Sequence, residues 1–218
     1  FIQKSFHDGL LSYLFVLASS NISEIYQLAY EVLIEKLPRT REANEKMVND
    51  IFHMFIYKIL PYFNEKNLLG GTNPAEAPEN GPLVQKLGAC YDFMLNRMKS
   101  TQINREVVDA LKGSVGPAIG ASHIVRHIYL SFRDKKVLEL GEVFEVLIRN
   151  STVGSKVVKR SALDAMMSIY RVFGESVEAF LQRLDSPEKA EMVRSGASKL
   201  KVKAIQSTLP QQVQSLQA

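Results

Sequence analysis

The sequence predicts an all-α protein, an α-solenoid in which amphipathic helical hairpins stack side by side. Apolar residues recur at helical spacing through most of the 218-residue chain. No Asn-Gly or Asp-Gly turn separates two alternating, strand-like runs, so β-hairpins are not indicated. Short polar turns join the helical stretches in pairs, and such a pair cannot bury both apolar faces without a neighbour of the same kind.

The first hairpin is predicted at the start of the chain. Apolar spacing indicates a helix over residues 6–19, and Ser20 and Asn21 follow it as a turn. Ser23 is of a residue type that caps helix N-termini, so we expect it to begin the second helix. Pro38 is expected to end that helix, because proline cannot donate a backbone hydrogen bond.

A longer helix is predicted over residues 42–63, with a kink at Pro61 near its end. The stretch after it contains the glycines and prolines of GGTNPAEAPENGP, which prevent regular structure. We therefore interpret residues 66–81 as a mobile loop. A solvated insertion is the favoured interpretation of this loop, and a partner-contacting loop is the alternative.

Three helices are predicted next, over residues 83–98, 104–112 and 118–132. Gly113 and Pro117 are expected to separate the second of them from the third. Both residue types interrupt helices, glycine through its backbone entropy and proline through its missing N–H.

The clearest hairpin lies between Val143 and Gly174. Its turn contains serine, threonine and glycine over residues 151–155, and its second helix opens at Lys156. Gly174 is expected to end that helix, because glycine adopts positive φ freely. In the second helix, the residues expected to point inward are Val157, Val158, Ala162, Met166 and Ile169.

The last helix is predicted to begin at Pro187, behind a cap from Ser186, and to reach Ala204. The tail over residues 205–218 is polar and rich in glutamine, so we expect it to fray or to pack lightly. A chain of 218 residues with 46% hydrophobic content can form one sizeable core. We therefore predict a single domain over residues 1–204.

The residues Val158, Lys159, Arg160, Ala162, Leu163, Met166 and Ile169 give the central hairpin a recognisable pattern. This pattern resembles a HEAT repeat, the helical-hairpin unit of many protein scaffolds. The run KRSALDAMMSIYRVFGESVEAFLQRL is also similar to the last repeats of TOG domains, especially those of the CLASP family of microtubule regulators.

The resemblance implies a TOG-like paddle of HEAT/ARM-like hairpins, a non-catalytic domain of a cytoplasmic, cytoskeletal protein. Such a domain binds tubulin, microtubules or a regulatory partner through the turns between its paired helices. The alternative is a HEAT/ARM scaffold for another protein, unrelated to tubulin. The partner-binding residues that match these turns and the basic positions beside them are Ser20, Asn21, Ser155, Lys156, Lys159 and Arg160.

The chain departs from the TOG pattern in its lack of tryptophan. TOG domains that grasp tubulin usually present a Trp in their first turn, and this chain contains none. Either a TOG-like domain has lost the binding of free tubulin here, or the chain is a different kind of helical scaffold. Co-sedimentation with microtubules separates these interpretations.

The positive charge belongs to the C-terminal part of the chain. Residues 1–132 hold 13 Lys+Arg and 13 Asp+Glu, whereas residues 133–218 hold 14 and 10. The window from Arg149 to Arg160 contains four basic residues and no acid. Basic residues at a helix N-terminus oppose the helix dipole, which favours a role for them in binding an acidic partner. Nucleic acid is the weakest such partner, because no aromatic residues are interleaved.

No catalytic constellation is recognisable, and we predict a non-enzyme without cofactor, metal ion or small-molecule substrate. His123 and His127 share a helix face without a further ligand at useful spacing, so packing or surface roles are favoured. Cys90 lies on an apolar helix face, which favours a buried thiol and a reducing compartment. No apolar run is long enough to span a bilayer, and we expect a monomeric domain.

Overall fold

The computed structural model describes residues 13–200 except 15, 41–42, 66–81 and 133. These residues form helices joined by turns and contain no β-strand, which confirms the all-α prediction. The predicted loop at 66–81 and the predicted tail at 205–218 lie outside the described residues. The α-helices are, in chain order, α1 (Ser23–Lys36), α2 (Glu45–Met54), α3 (Leu60–Glu65), α4 (Pro82–Leu95), α5 (Ser100–Lys112), α6 (Val115–Leu130), α7 (Leu140–Val153), α8 (Lys156–Phe173), α9 (Glu178–Leu181) and α10 (Pro187–Lys199).

Shorter helical pieces complete the described structure. Residues 16–18 are helical and precede α1. A π-helical segment, Phe55–Ile59, joins α2 to α3, and 3-10 turns cover Leu37–Arg39 and Gly174–Val177. No helix among the described residues is long and apolar enough to cross a membrane.

Side-chain caps fix several of the helix boundaries. Asn44, Ser155 and Ser186 each accept a hydrogen bond from the backbone N–H three residues further on. Pro187 occupies the first turn of α10, where a missing N–H breaks no helical hydrogen bond. Gly174 follows α8 with φ of 53°, in the left-handed region that favours glycine. The predicted boundaries at residues 155, 174 and 186 are therefore confirmed.

The predicted cap at Ser23 is wrong. Ser23 is the first residue inside α1, and Ile22 occupies the capping position with an extended backbone. The hydroxyl oxygen of Ser20 accepts a hydrogen bond from the Ile22 N–H at 3.1 Å, so the serine two residues earlier organises this turn. Two serines near a helix start offer competing caps, and the sequence alone does not rank them.

Pro117 and Pro61 do not interrupt helices as their sequence positions suggested. Pro117 lies in the first turn of α6, where the N–H would have no helical acceptor. Pro61 lies in α3, directly after the π-helical segment, in which the Leu60 N–H donates to the Phe55 carbonyl. The π-helical turn therefore ends just before Pro61, and the chain remains helical as far as residue 65. Helix α5 likewise begins at Ser100, one turn before the predicted start.

Helix α6 packs against the helices on both sides of it. It contacts the π-helical segment and α3 on one side, and α8 on the other. Gly120 permits the first contact, because a Cβ atom at this position would lie 2.6 Å from the Ile56 carbonyl oxygen. Gly116 is similarly close to the ring of Pro61. These glycines let two helix backbones approach where a side chain would hold them apart.

Neighbouring helices also pack together in the C-terminal part of the described structure. Helix α5 packs on α6 and α7 packs on α8, while α5 also contacts α7 and α6 contacts α8. Phe144 of α7 stacks on Phe180 of α9, with ring centroids 4.8 Å apart. Gly196 of α10 leaves room for Met167 of α8. Hydrogen bonds that link α5 to α7 and to the residue before it connect residues 30 to 39 apart in the sequence. Those that link α7 to Arg183 and to Lys189 connect residues 38 apart.

The inward face of α8 agrees with the prediction except at one residue. Ala162 has no exposed surface, as predicted, whereas Val157 is 50% exposed. Val157 lies in the first turn of α8 and is one position, about 100° of helix rotation, away from buried Val158. It therefore lies outside the buried stripe. The buried residues of α8 are Val158, Ala162, Leu163, Ala165, Met166, Ser168 and Ile169.

We predict that Gly120→Ala destabilises the fold by about 1–3 kcal/mol, because the added methyl group meets a backbone oxygen that cannot turn away. Gly141→Ala is the matched control. Gly141 is exposed in the first turn of α7, and an added Cβ has nothing within 4 Å, so alanine there should raise stability by about 0.4–1 kcal/mol. Urea unfolding of both variants measures the difference, and equal midpoints would contradict the close approach of α6.

We predict that Ala162→Arg severely destabilises the C-terminal hairpins. The alanine is fully buried, so a guanidinium at this position overpacks the contact between helices and carries a charge away from water. Arg at exposed Val157 is the control on the same helix, and we expect it to unfold within about 0.5 kcal/mol of the parent. Thermal unfolding followed by circular dichroism compares them. An Ala162→Arg protein that melts like the parent would show that the assigned face is wrong.

Candidate functional site

The turn between α7 and α8 is formed by only two residues, Gly154 and Ser155. A Cβ atom on Gly154 would lie 2.7 Å from the Asn150 carbonyl oxygen and 2.6 Å from Val158 Cγ1, so only glycine fits without a shift. The Ser155 hydroxyl oxygen then accepts from the Val158 N–H at 3.4 Å and starts α8. The turn is therefore tight, and its local geometry follows from two small residues.

The structure places four of the six predicted partner-binding residues at this turn. Ser155 caps α8, and the basic patch, which we define as Lys156, Lys159 and Arg160, occupies the next five positions. Lys156 and Arg160 are exposed, while Lys159 is half-buried. Lys156 makes no ion pair with any residue in the described part of the chain.

Ser20 and Asn21, the other two predicted residues, lie at a different turn, the one that precedes α1. Asn21 is exposed there. The Ser20 hydroxyl oxygen accepts from the Ile22 N–H, and the Ser20 N–H donates to the Leu17 carbonyl, so these hydrogen bonds of Ser20 stay within its own turn. These two residues consequently form a separate candidate surface.

Two members of the basic patch have acidic neighbours inside the fold. A hydrogen bond from Lys189 lowers the pKa of Asp185, and the charge of Lys159 lowers it further. Burial raises the pKa of the Asp164 carboxyl, while the charges of Arg126 and Arg160 act in the opposite direction. Lys159 and Arg160 therefore each have an acidic side chain near them. Lys156 alone keeps an uncompensated charge at the N-terminus of α8.

Hydrogen bonds hold the α7–α8 turn against its neighbours on both sides. The Asn150 side-chain amide donates to the Leu111 carbonyl at 2.8 Å, which joins the end of α7 to the end of α5. The Lys189 ammonium donates to the Ser151 carbonyl at 2.8 Å, which joins α10 to the same turn. The carbonyl groups at helix C-termini lack helical partners, so these contacts also satisfy orphan acceptors. The turn is thereby presented in a fixed position.

Sequence reasoning missed the apolar residues of this surface. Val153 ends α7 and is 75% exposed, and Val157 is exposed in the first turn of α8. Val115, the first residue of α6 at the preceding turn, is exposed as well. Val115 lay outside the helices predicted from the sequence, and Val153 lay in the predicted turn at residues 151–155, which the structure shows to be helical as far as residue 153. Helical spacing made Val157 look like a core residue.

The two histidines on α6 have separate structural roles. His127 Nε2 lies 2.7 Å from Asp92 Oδ1, and its ring meets the edge of Tyr91. Burial, together with the nearby charge of Arg126, lowers the pKa of His123 to about 4. Within the described ranges no group of three or more His, Cys, Asp or Glu side chains could hold a metal ion.

Cys90 is a buried structural thiol, as predicted. Its Sγ donates to the Ile34 carbonyl oxygen at 3.2 Å, and burial raises its pKa to about 12. A thiol with so high a pKa holds almost no thiolate at neutral pH and is therefore a poor nucleophile. Cys90 contributes to the packing of α4 against α1.

The fold and the site define a class of protein: its described residues are helical, neighbouring helices pack against one another, and the tight α7–α8 turn carries the basic patch. No protein-family model matches this chain, and no curated protein matches it either. A functional assignment therefore depends on the chemistry and geometry of the described residues, together with the resemblance stated above.

We predict that His123→Gln reduces the acid sensitivity of the fold. The folded pKa of His123 is about 4, whereas an unfolded histidine titrates at about 6.5. Between these values the unfolded chain binds a proton that the folded chain does not, so the free energy of unfolding falls as the pH drops. The loss at pH 5 is on the order of 2 kcal/mol for this group. Urea unfolding at pH 7 and pH 5 should show a smaller loss in the variant. An unchanged loss would contradict a His123 that stays neutral in the folded protein at pH 5.

Proposed function

We propose that this chain is a non-catalytic protein-interaction domain, an α-solenoid of HEAT-like hairpins that binds its partner through the turns between paired helices. The observation that carries the proposal is Lys156, an exposed charge without an ion pair in the described structure, at a turn fixed on both sides by hydrogen bonds. A charge that opposes the helix dipole and has no local acid has no role in folding that we can identify. Binding an acidic partner gives it one.

The arrangement of the hairpins supports the solenoid part of the proposal. Helices α5 and α7 are neighbours, as are α6 and α8, so each element contacts its counterpart in the next hairpin. Several hydrogen bonds that link α7 to α5, Arg183 and Lys189 connect residues 35 to 39 apart, near the lower end of the period of about 40–47 residues in HEAT repeats. The bond from Lys112 to Glu142 connects residues 30 apart, and the two bonds from α2 to α5 connect residues 53 apart. A repeat of this kind contacts mainly its nearest neighbours and leaves its turns along an edge.

Tubulin or the microtubule is the leading candidate for the partner, through the resemblance to TOG domains. The proposal also covers a regulatory protein of the same cytoskeletal system, because the tryptophan of tubulin-grasping TOG domains has no counterpart in this chain. The alternative is a HEAT/ARM scaffold for a protein unrelated to tubulin. The same basic patch would bind the partner under either hypothesis, tubulin or an unrelated protein. A binding experiment distinguishes the two hypotheses.

We predict that Lys156→Glu combined with Lys159→Glu weakens binding to microtubules with little loss of stability. Lys156 is exposed, and Lys159 is half-buried without an ion pair in the described structure, so the free energy of unfolding should change by about 1 kcal/mol or less. Reversed charges slow the encounter with an acidic surface, and added salt screens the effect. Co-sedimentation of the 218-residue chain with microtubules at low and moderate salt measures the loss, which we expect to shrink as salt is added.

The matched control reverses Lys46 and Lys58, two exposed lysines of α2 and the π-helical segment. This control changes the net charge by the same amount, so it separates a local patch from a general effect of charge. Equal weakening by both double variants would remove the basic patch from the mechanism. Absence of binding by the parent chain would favour the scaffold for another protein over the tubulin assignment.

A further inference from the structure

Three valines are exposed at two neighbouring turns of the structure. Val115 begins α6, Val153 ends α7 and Val157 lies in the first turn of α8. Each is at least half exposed, and Val153 is the most exposed large apolar residue of the described chain. We call these three residues the valine edge.

The two turns of the valine edge are adjacent in space. Ala118 and Ile119 near the start of α6 pack with Val158 near the start of α8 in one buried cluster. The hydrogen bond from Asn150 to the Leu111 carbonyl joins the other two helix ends, those of α7 and α5. The start of α6 therefore lies beside the start of α8, and the end of α5 lies beside the end of α7. The two turns that carry the valines are consequently neighbours.

Isolated exposed valines are common and do not by themselves indicate a binding surface. Here, however, the apolar residues lie beside the unpaired Lys156 and the exposed Arg160. The β-branched side chain of valine is also a poor choice for an exposed helix end that has only to remain soluble and helical. Gly154 and the Ser155 cap hold the intervening turn in one conformation, so the surface loses little freedom when it binds.

We propose that the valine edge and the basic patch form one composite surface that takes an acidic protein segment carrying an apolar side chain. The apolar side chain of the partner packs on Val153 and Val157, and carboxylates on either side of it pair with the basic patch. This inference deepens the proposed function and rests on it, since it names the chemistry of the segment that the turns recognise. Apolar contact supplies affinity that salt does not screen, while the charges direct the encounter.

A protein segment fits this surface better than the other acidic partners. Single-stranded nucleic acid is held by aromatic side chains on which bases stack, and the valine edge offers none. An anionic membrane favours a continuous apolar helix face with many basic residues, whereas here the apolar groups are short and confined to helix ends. An apolar side chain flanked by carboxylates matches both the exposed valines and the positive charge beside them.

The test uses the whole 218-residue chain as bait for a phage-displayed library of random twelve-residue peptides. We expect the enriched peptides to share at least one apolar residue flanked by Asp or Glu. A synthetic peptide of the enriched sequence then serves as the probe in titrations with three proteins: Val153→Thr with Val157→Thr, Lys156→Glu with Lys159→Glu, and Leu28→Ser. Threonine keeps the shape of valine and removes its apolar character, and Leu28, 63% exposed on α1, is the control for loss of an exposed apolar residue elsewhere.

The proposal predicts a loss of about tenfold in affinity for the threonine variant at both low and moderate salt, because contact between apolar groups is not screened. The lysine variant should lose affinity mainly at low salt, and Leu28→Ser should bind like the parent. Enriched peptides without acidic or without apolar residues, no enrichment at all, or a threonine variant that binds like the parent would each overturn it.

Microtubule co-sedimentation of the same variants separates this inference from the proposed function. If microtubule binding depends on Lys156 and Lys159 but not on the valines, the proposed function stands and the composite surface fails. If peptide binding depends on the valines while the parent chain does not bind microtubules, the composite surface stands and the tubulin assignment fails.

Discussion

The close contact of α6 with the helices on both sides is the interaction on which the rest of the structure depends. On one side the bare Cα of Gly120 meets the carbonyl of Ile56, and on the other side small and aliphatic residues of α8 pack against α6. Because α8 takes its position from α6, the α7–α8 turn takes its position from the same contact. A larger residue at Gly120 would therefore move the candidate site as well as the core.

The turn itself combines rigidity with exposure. Asn150 and Lys189 fasten it to the neighbouring hairpins through backbone carbonyls, while Val153 and Lys156 project without partners inside the described fold. Exposed groups that make no internal contact add little to the stability of the fold. When they are held rigidly, however, they lose little conformational entropy on binding a partner. This contrast is the physical reason for placing the function at the turn.

Helical periodicity predicted the class of fold and most of the core, and capping chemistry predicted the boundaries at Ser155 and Gly174. The predicted helix boundaries were wrong where a residue could either start a helix or interrupt one, or where two residues could cap the same helix. Pro117 lies at a helix start rather than in a break, and Ser20 rather than Ser23 organises the turn before α1. For the site, the sequence indicated the basic patch but not the exposure of Val157, because periodicity does not show where a helix extends past its neighbours. The acidic neighbour of Lys159, Asp185, arises from a tertiary contact that spacing cannot show. Asp164, in contrast, lies four residues after Arg160 on the same helix, a relation that helical spacing does show.

Hydrogen–deuterium exchange of the whole chain, with and without microtubules, tests the central claim most directly. The proposed function predicts that added microtubules slow exchange in the backbone amides around the α7–α8 turn, residues 150–161, while the amides of α2 exchange at the same rate. Slowing confined to other helices, with no change at residues 150–161, would contradict the placement of the binding surface at this turn.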